Sequence, residues 1–429
     1  MRSGSRFFGK CLLACSALVA LSAAPVLAGD AAPKKIKDHD TLLYSFGANA
    51  SDGAYPFAGL IADSSGDFFG TTEYGGTNNL GTVFELSSSG TESVLYSFAG
   101  GASDGAIPAA SLISDSLGNL YGTTVNGGSG DCSDAGCGTV FEVTPAGAEK
   151  VIYQFQGDAD GLNPQASLFM DGSGNLFGTT YAGGSQNCEG GCGTVFELSP
   201  SKGGGWTESV IYSFQGGNDG DGPQGGLVED SSGNLYGTTS FGGASTHCPT
   251  GCGTVFQLSP SGNGSWTNKV IYFFKPPLHG GDGAYPASNL MMDGQGNLWG
   301  TTPQGGSKSC GGGCGAVFEL AKTGKNSWAE TTPFRFAAGK HGAFPTGTVV
   351  SDSSHNLYGV TAGAGTSDCG VLYEIYSSGQ GKTLYSFAGG ASDGCQGYGT
   401  LFMGQNSTLY GVTAYGGASD VGAIFQLKP

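Results

Sequence analysis

One short phrase constrains this chain more than any other feature. Gly118-Asn119-Leu120-Tyr121-Gly122-Thr123-Thr124 recurs, with variations, at 66–72, 174–180, 233–239, 296–302, 355–361 and 407–413. In the last two copies Val360 and Val412 replace the first threonine. The chain is therefore one unit built seven times, with 52 to 63 residues between successive copies. A unit that cannot bury its apolar face alone has to stack on its neighbours.

Within 57–98 the unit reads as four strands, lettered A to D. They are Gly59-Leu60-Ile61-Ala62, Asp67-Phe68-Phe69-Gly70-Thr71-Thr72, Gly81-Thr82-Val83-Phe84-Glu85-Leu86 and Ser93-Val94-Leu95-Tyr96-Ser97-Phe98. All are rich in β-branched or aromatic residues, and none shows a helical period. Asp63-Ser64-Ser65-Gly66 and Ser87-Ser88-Ser89-Gly90 supply tight turns between them. The 82 glycines follow no Gly-X-Y period, and 11% aromatic content is too high for a disordered chain. Four short strands in a meander, repeated at this length, fit the blade of a propeller.

The ends of the pattern predict how the ring closes. Leu42-Leu43-Tyr44-Ser45-Phe46 is a D-type strand that precedes any A strand. Gly422-Ala423-Ile424-Phe425-Gln426-Leu427 is a C-type strand with no D after it. Pairing them completes the last blade and leaves no open edge. The expectation is an all-β, seven-bladed β-propeller with four-stranded antiparallel blades, the last closed by the N-terminal strand. The blades are 57–98, 109–155, 166–214, 225–274, 287–336, 346–387, and 399–427 with 41–46. One domain, 41–429, follows a leader at 1–28 and a linker at 29–40.

The pattern Gly-Asn-Leu-Tyr-Gly-Thr-Thr, Gly-Gly, Gly-Thr-Val-Phe-Glu-Leu resembles the GloVer (Gloeo–Verruco) tandem repeat of exported bacterial proteins. The resemblance covers nearly all of 41–428. It implies export and a bacterial source, and it carries no catalytic residues with it. Many such proteins have a C-terminal anchoring segment. This chain stops at Lys428-Pro429, straight after a strand, so a released or periplasmic protein is expected.

The leader reading rests on chemistry. Arg2, Arg6 and Lys10 precede an apolar run from Cys11 to Ala24, and Val26-Leu27-Ala28 offers small residues for cleavage. Its removal leaves 14 basic against 34 acidic residues. Nucleic acid and anionic membrane, which need clustered Lys and Arg, are poor partners for such a surface. Ten cysteines then remain. Cys132/Cys137, Cys188/Cys192, Cys248/Cys252 and Cys310/Cys314 form local pairs, each in a B–C loop. Cys369 and Cys395 fall on the same side of the ring and are expected to make a fifth disulfide. An exported chain favours disulfides over zinc, which wants four ligands where each pair offers two.

Sites are sought where the sevenfold pattern breaks. Trp206, Trp266 and Trp328 stand in three successive enlarged C–D hairpins. They make either a stacking platform for sugars or packing for the blade edges. Lys275, His279, Arg335, Lys340 and His341 gather near two successive D–A links, as an anion site or as solvated charge. The recurrent Asp52-Gly53-Ala54-Tyr55-Pro56 of the D–A links reads as turn chemistry, or as one carboxylate per blade around the axis. Asp63, Asp115, Asp171, Asp230, Asp293 and Asp352 read as turn residues, and Trp299 as core. No His-Glu-x-x-His motif occurs, and the histidines His39, His247, His279, His341 and His355 lack a repeated carboxylate partner. The sequence thus favours a monomeric, exported, non-catalytic binding or scaffold module for a glycan or protein ligand, without a cofactor or metal and without membrane insertion once the leader is removed. A hydrolase or lyase on an extracellular polymer, or a purely structural envelope protein, are the alternatives.

Overall fold

Each repeat forms a four-stranded antiparallel blade, and seven of them close a β-propeller. The computed structural model describes residues 40–130, 132, 135–243, 248–275, 281–324 and 327–429. The leader, most of the linker, His39, His247 and His279 lie outside the described residues. In the first blade the order is Ile61–Ala62, Phe68–Thr72, Thr82–Leu86 and Glu92–Ser97, each strand paired with the next. The inner strand pairs over only two residues, shorter than the sequence suggests. The chain just before it, Ala58-Gly59, turns aside to meet its neighbours around the axis. There the Gly59 N–H donates to Ser111 Oγ of the second blade at 2.8 Å.

The repeated phrase has a steric reason. Its glycine lies under the ring of the facing C-strand aromatic: a Cβ on Gly70 would come within 2.6 Å of Phe84 Cζ. Tyr373 plays the same part over Gly359. The two threonines then divide their work. Thr71 donates to Ala110 O of the next blade at 3.0 Å, while Thr72 Oγ1 lies 2.8 Å from Thr82 Oγ1 within its own blade. The valines that replace the first threonine in the last two blades are buried in apolar clusters between blades.

Seven apolar clusters, each built from two adjacent blades, cement the ring. Phe98, Leu120 and Phe141 join blades one and two. Phe46, Phe84 and Val412 join blades seven and one. Full burial of one such aromatic is worth about 1.5–3 kcal/mol.

Closure follows the expected route. Asp40–Ser45 pairs antiparallel with Ala423–Leu427, so the first described strand is the outermost strand of the last blade. That blade differs in one respect. Its inner strand extends over Gly394–Met403, with a register shift between Tyr398 and Phe402. The other links carry a proline where Gly397 stands, and proline has no N–H to continue a ladder. Among the described residues, no helix is long and apolar enough to cross a membrane.

Phe46, fully buried beside Phe84, makes closure testable. Phe46→Ala should cost about 3–5 kcal/mol in a urea titration. Deleting residues 40–46 should abolish cooperative unfolding, because it exposes a strand edge and an apolar blade face together.

Candidate functional site

The D–A links and B–C loops meet on one side of the ring through short antiparallel ladders. Gly53–Ala54 pairs with Tyr74–Gly75, and the pattern recurs as Gly105–Ala106 with Asn126–Gly127, Leu162 with Ala182, Asp221 with Phe241, Ala284 with Gln304, Ala343 with Gly363 and Cys395 with Tyr415. Just after each link strand stands a residue in the left-handed region: Tyr55, Ile107, Asn163, Gly222, Tyr285, Phe344 and Gln396, with φ between 54° and 63°. Six of the seven are not glycine, and this conformation is unfavourable for them.

The strain has a visible return. In that conformation the N–H points at the preceding blade. Tyr55 donates to Val421 O, Ile107 to Leu80 O, Asn163 to Cys137 O, Gly222 to Cys192 O, Tyr285 to Cys252 O, Phe344 to Cys314 O and Gln396 to Cys369 O, all at 2.7 to 3.1 Å. Five of these acceptors are half-cystines. The expected disulfides, Cys132–Cys137, Cys188–Cys192, Cys248–Cys252, Cys310–Cys314 and Cys369–Cys395, are all formed. They therefore do more than shape a glycine-rich loop: they fix the carbonyl on which the next blade hangs. Five disulfides also fit an oxidising compartment.

The side chains of these left-handed residues crowd the mouth where the inner strands begin. Tyr55 packs edge to face on Tyr74 (centroids 5.9 Å) and Tyr415 (5.5 Å), and Tyr285 does so on Phe241 (5.7 Å). A Cβ on Gly222 would touch Tyr181 at 3.0 Å and Phe241 at 3.2 Å, so glycine there keeps a gap between two rings. Tyr74 and Phe344 are each 37% exposed. Beside Tyr74, burial pushes the Glu73 carboxyl up to about 7, and beside Gly222 it pushes Asp221 up to about 6. This aromatic mouth was only half legible in the sequence. The links were visible, but the residue before the proline varies too much to read as a surface.

The ring of link carboxylates is a set of braced turns. Asp52 Oδ2 accepts from Tyr44 Oη and the Ala48 N–H, both at 2.8 Å, and Oδ1 from the Gly53 N–H at 2.6 Å. Asp52, Asp104, Asp282 and Asp393 are buried. The A–B turn aspartates behave as expected. Asp115 Oδ1 takes the Leu117 and Asn119 N–H groups, and these bonds outweigh burial to hold its carboxyl below the ordinary range.

Trp206, Trp266 and Trp328 stand at the starts of D strands, Trp328 as the second residue, and pack edge to face on the preceding blade: on Tyr121 (6.1 Å), Phe177 (6.2 Å) and Tyr236 (5.7 Å). All three are partly buried, and the Lys322 ammonium lies 5.7 Å from the Trp328 ring. Trp299, expected in the core, is partly buried and donates to Asp293. The cationic residues each have contacts of their own. Lys275 Nζ lies 5.8 Å from the Tyr272 ring, and exposed Arg335 reaches Thr332 O at 3.4 Å. Lys340 and His341 sit in the turn Gly339–His341, where Lys340 O accepts from Thr383. Lys340 and His341 thus share one turn, while Arg335 lies within Coulomb reach of Asp282.

The inner strands of blades five, six and seven border a neutral cavity. This cavity of about 380 Å³ is bounded by Asn289, Leu290, Met291, Thr348, Val349, Val350, Ser351 and Thr400, with no titratable side chain among them.

Fold and mouth together define a repeat propeller with an aromatic opening. The sequence profile of the Gloeobacter/Verrucomicrobia repeat matches residues 34–135 and 115–313, well over half of the chain. The protein belongs to that repeat family. No curated protein matches it. Among solved structures, the extracellular domain of a one-component system from B. thetaiotaomicron aligns with a TM-score of 0.54 and 11% identity, covering 90% of this chain and 40% of that one. A protein described as a gluconolactonase aligns at 0.43 and 12%, covering 91% of each chain. Luciferin-regenerating enzyme aligns at 0.43 and 14%, covering 74% of this chain and 90% of that one. At these identities the likeness concerns fold alone.

The disulfides differ in the loops they close, which gives a measurable order. Removing Cys188–Cys192, with a separation of 4, should cost about 2 kcal/mol, and removing Cys369–Cys395, with a separation of 26, about 3–4 kcal/mol. Paired Cys→Ala variants compared by urea unfolding check that order.

Proposed function

We propose that this chain is an exported, non-catalytic binding module and that its ligand, a glycan or a protein surface displaying one, docks at the aromatic mouth. The observation that carries this reading is the set of aromatic rings held at the D–A side by the left-handed residues, two of them more than a third exposed. Rigid rings next to hydrogen-bonding carboxyls suit a sugar, which offers an apolar face and a belt of hydroxyls. The cavity bounded by Asn289, Met291, Thr348, Ser351 and Thr400 gives no acid–base pair to a reaction there. The tryptophans and the Arg335–His341 arc are secondary surfaces in this reading, since each tryptophan ring already serves a contact between blades. Export rests on the N-terminal leader pattern and the disulfides.

A hydrolase or lyase acting on an extracellular polymer is the second reading, and Glu73 favours it. A carboxyl titrating near neutrality beside an open mouth suits a general acid.

A glycan array separates these possibilities. Tyr74→Ala and Phe344→Ala should each lower affinity roughly tenfold or more, as loss of a stacking ring does, while Trp266→Ala leaves binding unchanged. Binding that survives both mouth variants but not Trp266→Ala would move the site to the opposite side. Turnover on a polysaccharide panel that disappears with Glu73→Gln would establish the enzyme instead.

A further inference from the structure

At the first four junctions between blades three groups meet: a tyrosine on one D strand, the aspartate of the link that follows it, and a residue of the next D strand, four places before its own tyrosine. Tyr44, Asp52 and Glu92 form the first such group. Tyr96, Asp104 and Glu149 form the second, and Tyr153, Asp160 and Glu208 the third. The tyrosine hydroxyl donates to the aspartate at 2.8, 2.9 and 2.9 Å. The glutamate stands within Coulomb reach of the aspartate and hydrogen-bonding reach of the tyrosine. Its Oε1 is buried and meets no donor in all three groups, and Asp160 Oδ1 is in the same position.

The fourth junction shows what the third position is for. There Asn268 replaces the glutamate, and its Nδ2 donates to Asp219 Oδ1 at 2.8 Å while Tyr212 donates to the same oxygen at 2.7 Å. An amide is a neutral donor at every pH. A carboxyl can fill that role only while it holds a proton. Two partly buried carboxyls this close do not both ionise cheaply. The aspartate already accepts from a tyrosine and from backbone N–H groups, so the proton belongs on the glutamate.

The remaining junctions vary the theme. At the fifth, Tyr272 turns to Glu330 at 3.3 Å and Asp282 Oδ2 is left buried without a donor. At the sixth, all three members are replaced together, by Phe334, His341 and Gly381. The Phe334 ring fills the space where a side chain at 381 would lie. Joint loss of all three marks them as one unit. At the seventh, Tyr385 donates to Asp393, and Asp40 occupies the register position of Glu92.

We propose that Glu92, Glu149 and Glu208 are protonated in the folded ring and that these acid pairs act as clamps between blades, closed in mildly acidic surroundings and loosened as the medium turns alkaline. Burial first, and then the facing aspartate, push these glutamates up to about 7, while the tyrosine opposes the shift. The charged groups facing them are Asp52, Asp104 and Asp160; at the fifth junction Asp282, pushed up to about 6, faces Glu330 and Arg335. A carboxyl whose affinity for protons is raised by folding stabilises the fold fully below its ordinary value of 4.5, and that contribution is lost as pH rises through about 7. The inference stands apart from the ligand reading, since none of these groups belongs to the mouth.

The test is thermal unfolding of the full chain between about pH 5 and about pH 8, the window set by these shifts. The wild-type midpoint should fall by several degrees across it. The Glu92→Gln/Glu149→Gln/Glu208→Gln variant should show a fall shallower by roughly half, the residue coming from Glu73, Asp221 and Asp282. Asn268→Glu, which adds a fourth acid pair, should steepen the fall. Infrared spectra of the wild type should show a protonated carboxyl band near pH 5.5 that fades above neutrality, a readout independent of whether the triple variant folds. An unchanged slope in either variant, or no such band, overturns the proposal.

Discussion

The ring depends on one backbone hydrogen bond, made seven times. The left-handed residue of each link turns its N–H to the loop carbonyl of the blade before it, and Tyr55 to Val421 O is the copy that shuts the circle. Such a conformation costs of the order of 1–3 kcal/mol for a residue with a side chain. It persists because the surroundings over-determine it. In the first four blades the carbonyl of that same residue accepts from the end of strand B, as in Glu73 N–H to Tyr55 O. One residue thus holds two blades, and five disulfides steady the acceptor.

This constraint ties scaffold to site. A residue forced to present its N–H sideways has its side chain committed to the mouth, whatever that side chain is. The scaffold therefore leaves one position per blade free to vary in chemistry: tyrosine, isoleucine, asparagine, glycine, tyrosine, phenylalanine and glutamine in turn. Aromatic character concentrates where blades seven and one meet, and again around blades four to six. The stability of the ring and the texture of its opening are set by different atoms of the same residues.

Much of this was legible in the sequence, for physical reasons. The glycine of the repeated phrase must accommodate an aromatic ring, so it cannot drift, and it marks every blade. A D-type strand before the first A and a missing D at the end leave closure little choice. The pairing of Cys369 with Cys395 followed from meander order alone. Other features stayed hidden. The shortness of strand A reflects packing around the axis, which no local pattern records. Tyr44, Asp52 and Glu92 are far apart in sequence and meet only because adjacent D strands lie side by side. The tryptophans fitted either a platform or edge packing in the sequence, and which blade each ring packs on, the previous one, depends on the lengthened hairpin.

Closure by the first described strand has an entropic meaning. Asp40–Ser45 and its partner, Ala423–Leu427, are separated by six blades of chain. Their pairing therefore carries a larger loop-closure cost than any contact within a blade, although that cost grows only slowly with length. Breaking it leaves an unmatched strand on one side and an uncovered sheet edge on the other.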